Sequence, residues 1–328
     1  MARRAKLGAK KPAANKATAK KAAAGFARVG RGELITLLDF VRFAVSRFVE
    51  AGLSFAHGTT DPVAEAAFLV CEALHLHPDQ FESFAGARVT AREGAKILDL
   101  IMRRVTTRKP AAYLVNKIYQ NGLPFYVDER VIVPRSFIGE LLDSHFGGDD
   151  NEAMSLIGDP AEVATVLDLC TGSGCLAILA ATYFPNAQID AVDISKDALD
   201  VAARNVAEHG LEGRISLFRG DLFKAIGNRR YDLIIANPPY VDAEGMAALP
   251  RECRAEPMLA FDGGADGLDV IRRILAEAGP HLAPKGGLLC EVGRGRERLE
   301  AAFAVPLLWL DTEDSQGEVF FVTAADLP

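Results

Sequence analysis

The chain has 328 residues, with 49% hydrophobic and 25% charged residues and a formal net charge of −7, a composition typical of globular proteins. Its length predicts two domains, and no apolar run approaches the roughly 20 residues that a membrane-spanning helix needs. Because the five cysteines and six histidines are scattered without metal-binding spacing, the composition argues against a metal site and indicates a reducing, cytoplasmic location.

Residues 1–25 form a basic tail. Eight Lys and Arg residues occur in it without any acidic residue, so the rest of the chain carries −7 − 8 = −15. The tail has no apolar anchors and is predicted to be disordered. It is either a solubilising extension or a loose electrostatic contact to RNA or ribosomal particles. The acidic remainder lacks the basic surface expected of a protein that binds duplex DNA.

Residues 26–108 are predicted to form a helical domain for substrate recognition. Apolar residues recur at three- and four-residue spacing from Leu34 to Val49 and again from Ala64 to Leu74, which predicts two amphipathic helices. Asp61-Pro62 suits the N-cap and first turn of the second helix. A third helix is expected from Ala91 to Thr106, and nothing in this domain has a catalytic pattern.

Residues 109–146 are predicted to form a β-hairpin linker followed by a helix. Aromatic and β-branched residues flank Asn121-Gly122, a dipeptide typical of tight hairpin turns. The two strands are expected at Lys117 to Tyr119 and Leu123 to Val133. The helix is expected from about Ser136 to His145.

Residues 147–328 are predicted to form an α/β domain with a doubly wound sheet. After a polar break at 147–160, apolar strands alternate with helices, the pattern of a parallel sheet. A short link joins the last two strands, so we expect them to pair antiparallel at one edge. The predicted strands are Val163 to Cys170, Gln188 to Ile194, Ile215 to Arg219, Tyr231 to Ala236, Gly286 to Val292, Leu307 to Leu310 and Glu318 to Thr323. The predicted helices are Cys175 to Tyr183 and Lys196 to His209.

A glycine-containing loop, Cys170 to Gly174, follows the first of these strands and leads into a helix. Glycines let a ligand approach the backbone, the helix start offers free N–H groups, and this turn binds nucleotide-like cofactors in doubly wound sheets. Asp193 ends the next strand, where a carboxylate can accept both hydroxyls of a ribose. NAD and S-adenosylmethionine share that ribose, so the loop and Asp193 alone leave both cofactors open.

Two further carboxylates favour S-adenosylmethionine. Asp168 lies just before the loop, where it can face the cationic amino group of this cofactor and would repel a pyrophosphate. Asp221 and Leu222 follow the third strand and are placed to contact the edge and the face of an adenine. By itself, Asp221 is equally typical of a helix cap.

The fourth strand ends in Asn237-Pro238-Pro239-Tyr240, at the sheet edge where such folds carry out chemistry. Each proline removes a backbone donor, and the segment offers the Asn237 side-chain oxygen and the Pro238 carbonyl as acceptors. Together they can hold both N–H bonds of a planar amide or aromatic amine and aim its lone pair at a sulfonium methyl group. Tyr240 can stack on the planar group. Orienting the acceptor nitrogen toward the methyl group is the main way in which a protein can accelerate such a transfer.

With these residues assembled, the chain resembles the HemK-like glutamine N(5)-methyltransferases over roughly residues 30–323. Such enzymes have a helical N-terminal domain, a β-hairpin linker and a class I, Rossmann-like methyltransferase domain. The resemblance therefore implies this same fold here, with an antiparallel edge strand in the sheet. Besides the loop and the Asn-Pro-Pro-Tyr segment, it is carried by Ala56 to Thr59, Phe125 to Arg130, Val133 to Ser136, Ile138 to Glu140, Leu249-Pro250, Glu256-Pro257 and Asp266 to Leu268.

Within this family, the chain is more similar to the branch that methylates a glutamine of large-subunit ribosomal protein L-three than to the release-factor branch. The latter usually has a glycine in place of Cys170 and reads Pro-Arg-Pro-Glu-Thr-Glu at positions 134–139. Arg135 and Glu256 are further candidates, either for the site or for a structural ion pair. The catalytic residues implied by the resemblance are Asn237, Pro238, Pro239 and Tyr240. The implied residues for S-adenosylmethionine are Asp168, Cys170, Thr171, Gly172, Ser173, Gly174, Asp193, Ile194, Asp221, Leu222 and Asn237.

The resemblance implies methylation of ribosomal protein L-three, either free or in an assembling large subunit, and no membrane partner. Glutamine methylation of release factors is an alternative. N(6)-adenine methylation of nucleic acid uses the same Asn-Pro-Pro-aromatic segment but needs a basic groove, which the sequence does not show. A non-catalytic ribosome-assembly factor that binds the methyl donor is a third hypothesis, which the intact Asn237 to Tyr240 segment argues against.

Overall fold

A computed structural model describes residues 32–327 except 56, 60, 147–155 and 314. The basic tail of residues 1–25 and most of the predicted polar break at 147–160 therefore lie outside the described residues. The chain divides into two compact units between Val115 and Asn116.

The unit up to Val115 is helical, as predicted. Thr36 caps the first helix, and Asp61 caps the second with Pro62 in its first turn. Thr90 caps the long helix that begins at Ala91, in a reciprocal capping box with Glu93. The helices are α1 (Leu37–Glu50), α2 (Pro62–Ala73), α3 (Phe81–Phe84), α4 (Ala91–Thr107) and α5 (Ala111–Val115).

An ion pair lies in the apolar interior of this helical unit. Arg104 of α4 donates from Nε to Glu65 of α2 at 2.7 Å, and neither side chain is exposed. Burial raises the pKa of Glu65, whereas the charge of Arg104 lowers it. Since a buried charge is costly without a partner, this pair fixes how α2 and α4 meet.

The second unit opens with the hairpin of β1 (Ile118–Gln120) and β2 (Leu123–Phe125). Its strands pair antiparallel, as expected from Asn121-Gly122. The predicted second strand to Val133 is wrong beyond Phe125. The backbone N–H of Tyr126 donates to the Asn205 side chain at 2.7 Å, and its carbonyl accepts from the same side chain at 3.0 Å. Because both groups are used there, Tyr126 cannot continue the strand ladder.

Seven strands form the sheet of the second unit in the order β5-β4-β3-β6-β7-β9-β8. The strands β3 to β7 are parallel, which confirms the predicted doubly wound sheet. The antiparallel pairing at one edge is also confirmed, with β9 between β7 and the edge strand β8. The strands are β3 (Thr165–Leu169), β4 (Gln188–Asp193), β5 (Ile215–Arg219), β6 (Tyr231–Ala236), β7 (Leu282–Glu291), β8 (Leu308–Asp311) and β9 (Gln316–Thr323).

The helices of the second unit include three that the sequence analysis did not identify, namely α9, α10 and α11. Of these, α10 buries Ile271, Ile274, Leu275 and Ala278 on one face, at the three- and four-residue spacing of an amphipathic helix. No described helix is long and apolar enough to cross a membrane. The helices are α6 (Ile138–Phe146), α7 (Cys175–Tyr183), α8 (Lys196–Glu208), α9 (Ala243–Ala248), α10 (Asp269–Ala278) and α11 (Arg296–Ala302).

Candidate active site

Four neighbouring strands bring the predicted site residues together at their carboxyl ends. The strands β5, β4, β3 and β6 are adjacent and parallel, so their carboxyl ends lie side by side. Asp221, Asp193, the loop from Cys170 and the segment from Asn237 follow these four ends in that spatial order. In open α/β sheets, ligands bind at the carboxyl ends of the strands.

Asp168 is fully buried within β3. Its Oδ2 accepts the Thr171 hydroxyl at 2.5 Å and the Ala177 N–H at 3.1 Å. Its Oδ1 has no hydrogen-bond partner among the described residues. Burial raises the pKa of Asp168 to about 7, and the nearby Asp193 carboxylate adds to this rise. Such an orphaned acceptor is costly and suits a cationic ligand group.

The glycine loop has an unusual backbone that the sequence pattern implied only at its glycines. Cys170, Gly172 and Gly174 have φ values of 61°, 56° and 80°. For Cys170 this left-handed conformation costs about 1–2 kcal/mol, which gives a physical reason for glycine in related chains. Gly174 is the N-cap residue of α7, and a Cβ there would lie 3.2 Å from the Cβ of Ala202.

Asp193 ties the end of β4 to this loop. Its Oδ2 accepts the Gly172 N–H at 2.9 Å, and its Oδ1 accepts the Ser195 N–H at 2.8 Å. Burial raises the pKa of Asp193, while these backbone donors lower it. Each carboxylate oxygen has a further lone pair, so the side chain can still accept two ribose hydroxyls. The following Ile194 is 53% exposed, as an apolar cover for a bound ligand would be.

Asp221 lies beside two cations. It accepts from Arg273 at 2.7 Å and from Lys224 at 3.0 Å, and these donors lower its pKa. It makes no side-chain cap hydrogen bond to the short helix that follows, so its role is not that of a simple helix cap. Leu222 is buried with a φ of 51°.

These residues fit S-adenosylmethionine chemically. The unpartnered oxygen of Asp168 matches an ammonium group, and the free lone pairs of Asp193 match a ribose. The exposed Ile194, which follows Asp193, supplies apolar surface beside this carboxylate. A dinucleotide pyrophosphate fits poorly at this loop, since the Asp168 and Asp193 carboxylates that border it would repel a negative charge.

The segment Asn237 to Tyr240 leaves β6 directly beside the loop. Asn237 is half-buried and Pro238 is buried. The Tyr240 hydroxyl donates to Glu291 Oε1 at 2.8 Å. Glu291 ends β7 and is 1% exposed. Glu291 was not among the predicted site residues, although a carboxylate at the carboxyl end of a strand was a usable signal.

Three glycines enclose Tyr240. A Cβ at Gly263 would lie 2.8 Å from the Tyr240 Cα, and one at Gly267 would lie 2.4 Å from the Tyr240 carbonyl oxygen. A Cβ at Gly293 would lie 2.6 Å from the Tyr240 ring. The resemblance included Gly267, and the structure supplies the physical reason, because no side chain fits against this backbone.

We predict that Gly267→Ala destabilises the protein by about 2–4 kcal/mol and lowers kcat, because it combines a positive φ with a backbone clash. Gly210→Ala is the matched control, since Gly210 also has a positive φ but nothing within 4 Å of its Cβ position. It should cost only about 1 kcal/mol and leave kcat unchanged. Chemical denaturation and initial rates measure both effects. Equal behaviour of the two variants would contradict the contact with Tyr240.

Arg135 and Glu256 form an ion pair with each other. The guanidinium Nη1 lies 2.9 Å from Oε1 of the buried Glu256, which also accepts the Val133 N–H at 2.9 Å. The Arg135 guanidinium also lies over the ring of Phe261, 5.6 Å from its centroid. Of the two roles left open for these residues, the structural ion pair is the one that the geometry supports.

Asn205 of α8 is a second residue that the sequence analysis did not identify. It is fully buried, and its Nδ2 donates to the Ser173 carbonyl at 2.8 Å. The same side chain holds both backbone groups of Tyr126, which lies 79 positions away in sequence. Asn205 thereby joins the cofactor loop to the linker, a contact that no local pattern indicates.

Comparison with known proteins gives consistent results. Residues 154–250 match the family described as "Methyltransferase small domain". The ribosomal protein uL3 glutamine methyltransferase of Bradyrhizobium diazoefficiens is 75% identical over 96% of this chain and 99% of its own length. The protein of the same name from Bordetella pertussis is 50% identical over 90% of this chain and 98% of its own length.

Among solved structures, a methyltransferase from Pyrococcus furiosus matches with a TM-score of 0.43 and 17% identity. The match covers 61% of this chain and 89% of that one. The hMettl16 catalytic domain matches with a TM-score of 0.46 and 16% identity, over 77% of this chain and 88% of that one.

The mostly parallel sheet, the loop at its edge and the matched domain define a class I methyltransferase that depends on S-adenosylmethionine. More narrowly, the chain belongs to the family of ribosomal protein uL3 glutamine methyltransferases, as its identity over nearly the whole length shows. The uL3 of this name is the ribosomal protein L-three of the sequence analysis.

Proposed function

We propose that this enzyme transfers the methyl group of S-adenosylmethionine to the side-chain amide nitrogen of a glutamine in ribosomal protein uL3. The observation that carries the proposal is the Asn237 to Tyr240 segment, which leaves β6 beside the cofactor loop. Support also comes from relatives of that name at 75% and 50% identity. The acidic body and the helical domain favour a protein substrate over duplex DNA.

The cofactor is held by residues at the ends of β3, β4 and β5. Asp168 receives its ammonium group at the free Oδ1, and Asp193 accepts its ribose hydroxyls. Cys170 to Gly174 line it with backbone, while Ile194, Asp221 and Leu222 contact the adenine. When bound, S-adenosylmethionine supplies an electrophilic methyl group on its sulfonium sulfur. The rest of the cofactor is the leaving group, a neutral thioether.

Asn237 and Pro238 hold the acceptor amide. The Asn237 side-chain oxygen and the Pro238 carbonyl accept its two N–H bonds, so that the nitrogen lone pair points at the methyl carbon. The side chains of Tyr240 and Pro239 lie against the two faces of the planar amide group. With the cofactor bound, the N–C bond would form as the C–S bond breaks, and the electron pair of the C–S bond would stay on sulfur. The alkylated nitrogen would be acidic and would lose one proton to water, so no general base is needed before attack. Orientation of this kind is a large contribution to such a transfer.

Incubation with a labelled methyl donor and three acceptors tests the proposal. We expect label in uL3, offered both free and within large-subunit assembly particles, in preference to a release factor. Label in the release factor alone would move the function to the alternative branch. Label in adenine of DNA, with both proteins unlabelled, would overturn it.

We also propose roles for the remaining segments. The helical domain of residues 26–108 recognises the protein substrate, and the linker of residues 109–146 connects it to the methyltransferase domain of residues 147–328. The enzyme works in the cytoplasm, where uL3 is made and assembled.

The basic tail contacts RNA of the assembling particle through its positive charge. Deletion of residues 1–25 should therefore leave methylation of free uL3 unchanged. It should slow methylation of assembly particles at low salt, where electrostatic attraction is strongest. Equal rates of the full-length and shortened enzymes on both substrates would show that the tail only aids solubility.

A further inference from the structure

Glu291 lies beside the segment Asn237 to Tyr240, which is the acceptor clamp. Ala236 of β6 pairs with Cys290 of β7, so Glu291 is the β7 residue level with Asn237. Its side chain is 1% exposed. A buried carboxylate is costly unless donors surround it, which raises the question of what holds this one.

Three donors from two different segments converge on Glu291. Its Oε1 accepts the Tyr240 hydroxyl at 2.8 Å. Its Oε2 accepts the Ser136 hydroxyl at 2.6 Å and the Phe137 N–H at 3.1 Å. The Ser136 oxygen in turn accepts the Ile138 N–H at 3.2 Å, at the start of α6. One carboxylate oxygen thus serves the clamp and the other serves the end of the linker.

We propose that Glu291 is a positioning residue for the methyl transfer, holding the Tyr240 ring against the acceptor amide and joining it to Ser136 in the linker. This inference rests on the proposed function, because it assigns Tyr240 to the acceptor. The close fit of Gly293 limits the ring on one side, and the hydrogen bond to Glu291 fixes its tip. Without that bond the ring can rotate away from the orientation that the transfer needs.

The environment of Glu291 also predicts a pH effect on turnover. Burial raises the pKa of Glu291 to about 7, while the Ser136, Tyr240 and Phe137 donors lower it and Glu318 on the adjacent β9 raises it. The charge of Arg135 acts on Tyr240 itself. The ionised carboxylate is the stronger acceptor for the phenol, so kcat should fall as the pH drops below about 7.

The decisive experiment is a double-mutant cycle on kcat with Glu291→Gln, Tyr240→Phe and the double variant. Hydrogen bonds to charged groups are strong, so each single change should lower kcat about 10- to 100-fold with an unchanged KM for the methyl donor. The double variant should be no slower than the slower single variant. The pH dependence near 7 should vanish in Glu291→Gln. Losses that multiply, or wild-type kcat in Tyr240→Phe, would overturn the proposal.

Tyr231→Phe is the matched control, because Tyr231 begins β6, the strand that leads to Tyr240, and donates to the Asp190 carboxylate at 2.7 Å. It should cost similar stability but leave kcat unchanged. If Glu291→Gln does not fold, Ser136→Ala removes one donor from the same carboxylate and should lower kcat in the same direction. Wild-type kcat in Ser136→Ala would overturn the proposal that the contact between Glu291 and Ser136 of the linker supports turnover.

A spectroscopic measurement separates this inference from the proposed function. In protein labelled with 3-fluorotyrosine, the ¹⁹F signal lost in Tyr240→Phe should titrate near pH 7 in the wild type. It should become independent of pH in Glu291→Gln. A titration that persists in Glu291→Gln would overturn the inference whatever the substrate. Absence of turnover with every acceptor would overturn the proposed function alone.

Discussion

Replacing Asn237 by alanine should lower kcat about 100- to 1000-fold, the effect seen when one donor or acceptor is removed from a reacting group. The amide lone pair is delocalised, so the reaction depends on how the clamp orients the nitrogen. The cofactor carboxylates Asp168 and Asp193 lie on other strands. The dissociation constant for S-adenosylmethionine, measured by calorimetry, should therefore be nearly unchanged.

Asn228→Ala is the control for this substitution, since Asn228 is exposed in the turn before β6. It should retain wild-type turnover and binding. A rate for Asn237→Ala within about twofold of wild type, well below the effect expected from a clamp residue, would remove Asn237 from the clamp. An equal loss of cofactor binding would instead assign it mainly to the cofactor.

Replacing Asp168 by asparagine should weaken S-adenosylmethionine binding at least about 30-fold, because loss of one partner from a buried charge pair costs about 2–5 kcal/mol. The asparagine oxygen can still accept from Thr171 and Ala177, which leaves its NH₂ group facing the cofactor ammonium. Binding of 5′-methylthioadenosine, which lacks the amino-acid part of the cofactor and therefore its α-ammonium group, should be unaffected. Equal weakening of both ligands would point to a damaged loop instead.

The same carboxyl makes cofactor affinity depend on pH. The pKa of Asp168 is raised to about 7 by burial, so below this pH the free enzyme holds a proton that the ammonium must displace. The cofactor amino group stays protonated there, since α-amino groups titrate near pH 8. The dissociation constant should rise up to about tenfold per unit as the pH falls below 7, and Asp168→Asn should remove this slope. A flat profile in the wild type would contradict the assignment.

Much of this fold follows from local sequence. The apolar strand Tyr231–Ala236 lies where the pattern predicts it, because burial on both sheet faces leaves a plain apolar signal. The strand Ile215–Arg219 and the helix Cys175–Tyr183 also lie at the predicted residues. The Asn121-Gly122 turn likewise fixes the hairpin. The cofactor loop and the Asn-Pro-Pro-Tyr segment were identifiable because both follow predicted strands.

Long-range contacts account for what the sequence did not reveal. The second hairpin strand ends early because Asn205 takes both backbone groups of Tyr126. Glu291 could not be linked to Tyr240 or Ser136 before the sheet order was known, since 51 and 155 positions separate them along the chain. The helix α10 was different, because its apolar spacing was present in the sequence and was not recognised.

Tandem mass spectrometry of uL3 after incubation with the enzyme and S-adenosylmethionine shows whether the methyl group is transferred to a glutamine side chain. We expect a mass increase of one methylene group on the side chain of a glutamine, with no modification when Asn237→Ala replaces the wild type. Methylation of lysine, arginine or a backbone amine, or methylation by Asn237→Ala at the wild-type rate, would contradict this expectation.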